Sequence, residues 1–161
     1  MIRPAAARDA AEVAKIWNKV IRDTAITFNS VEKTESELVR LFITKAEQGH
    51  GFFVAEEAGA VLGFATYGQF RGGAGYARTM EHTVILGDKA RGRGLGRELM
   101  GVVEDHARDG GAHSIFAGVS AENEDGISFH AAMGYNEVAR LSEVGWKFDR
   151  WIDLVLMQKL L

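Results

Sequence analysis

The 161-residue chain reads as a mixed α/β protein, with one central β-sheet flanked by helices. Apolar residues recur at helical spacing in some segments and in short β-rich runs in others, and the two kinds of segment are interleaved along the whole chain. No internal repeat and no linker of inter-domain composition divides them. Residues 1–161 are therefore expected to form one domain, long enough to bury a shared core.

The first element is predicted to be a helix, with Asp9 and Glu12 as a capping-box-like pair and Val13, Ile16, Trp17, Val20 and Ile21 along one face. A second helix opens at Thr34, with Glu37 three positions on, places Leu38, Leu41, Phe42 and Ala46 on one side, and ends at Gly49 and Gly51. Phe52 to Glu56 and Val61 to Tyr67 then form a hairpin, and Gly72 to Gly75 a loop. Thr79 to Leu86 returns to strand character. From Leu95 to about Arg108 the spacing is helical again, with Leu95, Leu99, Val102, Val103 and His106 on one side and Gly110 and Gly111 as the stop. Ser114 to Val119 is a strand, Glu124 to Met133 a short helix ended by Gly134, and Glu137 to Leu160 two strands around a charged turn.

Composition narrows the function. Nineteen Lys and Arg against 22 Asp and Glu leave a formal net charge of -3, so no bulk positive field invites nucleic acid or an anionic membrane. The absence of cysteine excludes disulfides, thiolate metal sites and a cysteine acyl-enzyme. No segment has a long uninterrupted apolar run and Met1 to Arg8 lacks the apolar core of a signal peptide, so a soluble cytoplasmic protein is expected. His50, His106 and His113 have no ligand spacing, and no metal is expected.

The most informative stretch is Val84-Ile85-Leu86-Gly87-Asp88-Lys89-Ala90-Arg91-Gly92-Arg93-Gly94-Leu95-Gly96, a strand that runs through glycines into a helix. Glycines let backbone N–H groups approach a ligand, the helix N-terminus adds positive potential, and Arg91 and Arg93 add full charges. A glycine-rich turn can also be nothing more than tight; the flanking arginines favour an anion such as a pyrophosphate. A Walker loop fails here because Arg97 and Glu98 follow Gly96, and a dinucleotide fingerprint starting at Gly92 fails because position 97 is arginine.

Arg91, Gly94 and Gly96 match the Gln/Arg-x-x-Gly-x-Gly/Ala signature of the GNAT superfamily of N-acetyltransferases. The chain also resembles its phosphinothricin and methionine sulfoximine acetyltransferase branch, through Thr24 and Phe28, Glu81-His82-Thr83-Val84, Asn123, His130, Gly145, Lys147, Phe148, Arg150, Trp151, Asp153 and Met157. The resemblance implies acetyl-CoA as acetyl donor, bound by Val84, Leu86, Asn123 and the run Arg91, Gly92, Arg93, Gly94, Leu95 and Gly96. It implies direct attack of an amine on the thioester, with Glu81 as the base, His130 in contact with the sulfur as the candidate acid, and Asn123 bonding the pantetheine arm. Taken alone, Glu81 would read as a surface charge and His130 as a partly buried helix histidine. His82 alternates to the other sheet face from Glu81 and reads as structural.

The implied acceptor is a small amine of amino-acid type, such as phosphinothricin, methionine sulfoximine or methionine sulfone. Its candidate contacts are Thr24, Phe28, Arg71, Tyr76, Arg78, Lys147 and Trp151, each of which could equally be a solvated charge, a rim aromatic or core. Relatives commonly pair as homodimers with acceptor sites near the interface. Three positions depart from the branch pattern: Gly126 stands where serine is usual, Asp149 where glycine is usual, and Tyr76-Ala77-Arg78-Thr79 where Tyr-Arg-x-Thr is usual, which turns the arginine to the opposite strand face. A noncatalytic acyl-CoA-binding sensor and a peptide N-terminal acetyltransferase are the alternatives.

Overall fold

Seven strands form one sheet in the order β1-β2-β3-β4-β5-β7-β6, in a computed structural model that describes all residues, Met1–Leu161. In chain order the elements are β1 (Ile2–Pro4), α1 (Ala10–Asp23), α2 (Glu35–Glu47), β2 (Phe52–Glu57), β3 (Ala60–Gln69), β4 (Thr79–Leu86), α3 (Leu95–Asp109), β5 (Ser114–Ser120), α4 (Glu124–Ala132), β6 (Asn136–Lys147) and β7 (Arg150–Leu160). Every neighbouring pair is antiparallel except β4 beside β5, which is parallel and is joined by the α3 crossover.

Strand alternation divides the core into two layers. Phe52, Val54, Phe64 and Ile85 face Val13 of α1 and Leu38 and Phe42 of α2, all buried. Their neighbours Phe53, Ala65, Tyr67 and Met80 face the opposite way, against Leu99, Met100 and Val103 of α3. The β2–β3 hairpin turns through Ala58 and Gly59 at φ 49° and 81°, and the β6–β7 hairpin through Phe148 and Asp149 at φ 53° and 58°. Left-handed residues at both central positions match the right-handed twist of the strands. The second turn does this without glycine, at a cost of about 1–2 kcal/mol for such a residue.

The helices and six of the strands lie where the periodicity puts them, within a few residues. Thr34 caps α2 as expected: its hydroxyl accepts the Glu37 N–H at 3.2 Å and the Glu37 carboxylate accepts the Thr34 N–H at 3.1 Å. Asp9 and Glu12 do not form the expected pair. The Asp9 carboxylate accepts the Ala6 N–H at 2.7 Å and takes two bonds from the Arg3 guanidinium, both 2.8 Å, which hold its pKa below the usual carboxylate range. Glu12 instead accepts the Val61 N–H at 3.0 Å and ties α1 to β3. Ala46 is exposed, so the buried face of α2 ends near Phe42. The three-residue β1 was not predicted, because a strand that short carries no period and forms only by pairing with β2.

Candidate functional site

The parallel pair is in register only from Thr79 opposite Ser114 to His82 opposite Ala117, although β4 continues to Leu86 and β5 to Ser120. Beyond His82 the strands part, leaving main-chain groups of β4 along the gap without a β5 partner. A cavity of about 300 Å³ occupies this gap, walled by Trp17, Ile26, Phe28, Glu81, His82 and Leu154. A groove of about 280 Å³ adjoins it, lined by Val84, Leu86, Arg91, Gly96, Phe129 and Asn123. Both include Ile26, Ile85 and His130, so they form one cleft running from the start of α3 to Glu81.

The cradle at the start of α3 is built from main chain. Gly92 and Gly94 sit at φ 73° and 80°, and Gly94 is the N-cap of α3 with no side chain to satisfy the first N–H groups. Those donors and the helix dipole suit a phosphate. Gly96 is buried, and a Cβ there would lie 3.3 Å from the Phe129 ring and 3.4 Å from Leu86, so glycine lets α3 approach α4 and β4. The expected cofactor residues divide accordingly. Val84, Leu86, Arg91, Gly96 and Asn123 line the cleft. Gly92 and Gly94 shape the turn, Leu95 packs toward the core, and the Arg93 guanidinium is drawn to the Glu57 carboxylate. Glycine turn, uncapped N-terminus and apolar groove together fit a nucleotide carrying a long, mostly uncharged arm.

Asn123 also caps α4, its Oδ1 accepting the Gly126 N–H at 3.0 Å. A Cβ on residue 126 would come within 2.3 Å of the Asn123 amide nitrogen, so Gly126 makes room for this conformer. A serine at 126 would displace the Asn123 side chain from this position.

Glu81 and His130 are brought to the same cavity, one from β4 and the other from α4. Glu81 remains open to solvent by area, yet the cavity walls crowd its carboxyl and push its pKa above the ordinary glutamate range. Its carboxylate lies over β5, 3.4 Å from where a Cβ on Gly118 would stand. His130 is buried, and its Nδ1 is bonded to the Gly126 carbonyl oxygen at 2.7 Å. Its Nε2 lies 3.1 Å from Nε2 of His82. His82 does point away from Glu81, as alternation requires, yet it lines the same cavity because the strands have parted beside it. Burial and the neighbouring His130 push the His82 pKa down to about 3.

Of the expected acceptor contacts, only Phe28 lines the cavity, held beneath β6 where Gly145 leaves room for its ring. Thr24 bonds back to the Val20 carbonyl at 2.7 Å and ends α1. Lys147 is buried and donates to the Thr24 and Thr27 carbonyls at 2.6 and 2.8 Å, so it ties down the Thr24–Phe28 loop and does not face the cavity. Arg71 stacks its guanidinium 5.7 Å from the Tyr76 ring and opens onto a separate hollow beside Lys45 and His50. Arg78 is exposed, and Trp151 is 56% exposed against Trp146. Within one chain, Thr24, Arg71, Tyr76, Arg78, Lys147 and Trp151 are thus not cavity residues. Trp17, Ile26, Thr27 and Leu154 are, and were missed: Trp17 read as an ordinary core position of α1, and Leu154 as one of many apolar residues on β7.

No group of three or more His, Cys, Asp or Glu residues is placed to hold a metal, and no helix is long and apolar enough to cross a membrane. The profile described as "Acetyltransferase (GNAT) domain" matches residues 2–156. The chain is 35% identical over 157 residues to the L-amino acid N-acyltransferase MnaT of Escherichia coli, covering 98% of this chain and 91% of that protein. It is 36% identical over 159 residues to the L-methionine sulfoximine/L-methionine sulfone acetyltransferase of Salmonella typhimurium, covering 98% and 92%. Its fold superposes on the phosphinothricin acetyltransferase of Sinorhizobium meliloti in complex with acetyl-CoA with a TM-score of 0.94 at 27% identity, covering 100% of this chain and 88% of that one. With a glycine cradle leading to a split between two parallel strands, and a profile match over nearly its whole length, this chain belongs to the GNAT family of acetyltransferases.

Proposed function

We propose that residues 1–161 act as one N-acetyltransferase domain, moving the acetyl group of acetyl-CoA to the amine of a small amino-acid-like acceptor. The observation that carries this reading is the single cleft joining the Gly92–Gly96 cradle to Glu81. Acceptors of the type named for the relatives, methionine sulfoximine, methionine sulfone and phosphinothricin, suit a cavity of about 300 Å³ with apolar walls and one carboxylate.

Arg91 and the main chain of Gly92 to Gly96 would hold the pyrophosphate, Val84, Leu86, Gly96 and Phe129 the arm, and the amide of Asn123 its polar groups. Bound there, acetyl-CoA supplies the thioester. The amine nitrogen attacks the thioester carbon, the C–S bond breaks, and the amine proton leaves through Glu81, directly or by way of water. Main-chain N–H groups of β4 along the gap are the available donors for the charge that builds on the carbonyl oxygen. His130 flanks the donor end of the cleft and is the candidate contact for the departing sulfur. Without a cysteine in the chain, transfer proceeds with no thioester on the enzyme.

The acceptor side suggests a homodimer. Val144, Trp146, Phe148 and Trp151 are all exposed on the β6–β7 hairpin, whose β6 is a sheet edge, and they are a natural surface for a second copy. Light scattering should give twice the mass of one chain, and Trp151→Glu should lower it. Donor and acceptor are both soluble small molecules, and we place the enzyme in the cytoplasm. The decisive assay measures CoA release and acetylated product over phosphinothricin, methionine sulfoximine, methionine sulfone, ordinary amino acids and short peptides. Acetylation of a free amino acid analogue is expected; turnover only on peptides, or acetyl-CoA binding without turnover on any acceptor, would replace this function.

A further inference from the structure

The contacts between His82 and His130 determine where the protons of the pair sit. Gly126 offers a carbonyl oxygen, which can only accept, so His130 Nδ1 carries a hydrogen. In the neutral ring Nε2 then has a lone pair, and its partner at 3.1 Å, His82 Nε2, must be the donor. That leaves His82 Nδ1 as a bare acceptor, and this atom is buried without a hydrogen-bond partner. Moving a hydrogen onto it, or charging the ring, would bury an unpaired N–H or an unpaired cation, which costs more. Both residues are only 6% exposed, and the rings stack at 27° with centroids 5.0 Å apart. Tyr135 stands edge-on to both rings, and its hydroxyl donates to Glu104 at 3.0 Å, which in turn holds Lys159 at 2.6 Å.

We infer that His82 is a positioning residue: its Nε2–H bonds the lone pair that the Gly126 contact leaves on His130 Nε2, so the neutral Nδ1–H ring of His130 is held at both nitrogens and locked in the cleft. Hydrogens then run in one direction, from β4 to α4 and on to the Gly126 carbonyl. The hydrogen between the rings belongs to His82 and His130's own is held by the Gly126 carbonyl, so the resting His130 has none free to give, and a departing thiolate draws its proton from water. The other titratable or charged groups around His130 are Glu81 of β4, Glu104 and Tyr135 toward α3, Lys159 of β7, Asp125 of α4, and Arg91 at the cleft mouth. Burial lowers the His130 pKa, outweighing the Gly126 carbonyl and Glu104, which both favour the charged ring.

The inference deepens the acetyl-transfer reading and rests on it for its catalytic meaning, whereas the tautomer can be read without turnover. Long-range proton–nitrogen NMR of the imidazoles in the full-length protein, near neutral pH, should show His130 with its hydrogen on Nδ1 and His82 with its hydrogen on Nε2. His82→Leu should release Nε2 of His130, shift its nitrogen resonance, loosen the ring and lower kcat by about 10-fold to 100-fold. Acetyl-CoA affinity by calorimetry should hold. His82→Gln, which keeps an N–H donor, should restore the bond to Nε2 and most of kcat, a rescue that loss of packing alone would not show. A doubly protonated or Nε2–H His130 in the unaltered protein would overturn the inference, as would a His82→Leu variant with an unchanged Nε2 resonance and kcat. If the tautomers are as stated but no acceptor is acetylated, it is the acetyl-transfer reading that fails.

Discussion

The phosphate cradle of the donor half lies within one short stretch of chain, Leu86 to Gly96, with Asn123 and Phe129 added from α4 and its cap, whereas the acceptor half collects Trp17, Ile26, Phe28, Glu81 and Leu154 from α1, the loop after it, β4 and β7. The first half works mainly through main-chain N–H groups and missing side chains. The second works through side chains whose meeting depends on how the strands part. A site of the first kind leaves a short sequence signature; a site of the second kind leaves scattered residues that each look ordinary.

The largest expected effect is on the acceptor half. Glu81→Gln should lower kcat/KM by about 100-fold or more near neutral pH if the carboxylate is the base, with acetyl-CoA affinity unchanged. In the unaltered enzyme kcat/KM should fall as acid protonates Glu81, and because the Glu81 pKa is raised by burial, the fall should come at higher pH than for an ordinary glutamate. A carboxyl with a raised folded pKa stabilises the fold on the acid side and loses that contribution as pH rises through the raised value. Glu81→Gln should therefore raise Tm slightly at neutral pH while it depresses turnover. A pH profile identical in the variant and the unaltered enzyme would remove Glu81 from the chemistry.

On the donor half, Gly96→Val should place methyl groups against Phe129 and Leu86 and weaken acetyl-CoA binding, with overpacking costing about 1–3 kcal/mol. The acceptor KM measured at saturating acetyl-CoA should stay the same. A change in acceptor KM alone would break the division between the halves. Lys147→Met tests the opposite case: freeing the Thr24 and Thr27 carbonyls loosens the loop that carries Phe28, so acceptor KM should rise several-fold, about 1 kcal/mol of lost hydrogen bonding, while acetyl-CoA affinity holds.

The smallest effect is expected where the halves meet. Gly126→Ser restores the usual residue of the branch but drives its Cβ into the Asn123 amide, so Asn123 must leave its cap. Loss of that cap should cost about 1 kcal/mol of stability, seen as a lower melting temperature, with a change in acetyl-CoA KM and little in acceptor KM.

The fold was legible wherever a segment carries its own period. Thr34 and Glu37 marked the start of α2 because a capping box is local, and the hairpins were marked by short β-rich runs flanking turn residues. Asp9 and Glu12 misled for the same reason: the letters fit a cap, but Arg3 and the Val61 N–H, distant in sequence or outside the helix, offered better partners. Lys147 was taken for an anion reader because sequence shows a charge but not the two carbonyls that absorb it. His82 was set aside on strand alternation, which it obeys; what alternation does not show is that β4 leaves β5 just beyond it, so that Glu81 and His82 border one cavity.

By itself the sequence determined the element order and the glycine turn at the start of α3, because propensity, left-handed turns and short motifs act over a few neighbouring residues; Glu81, Asn123 and His130 stood out only through the resemblance to the family. The tertiary structure alone decided that β4 and β5 separate after His82, that the Nε2 atoms of His82 and His130 meet, and that Arg71, Arg78 and Trp151 lie away from the cavity. Those outcomes follow from contacts between residues dozens of positions apart, such as the 48 that separate His82 from His130, and no local pattern encodes them.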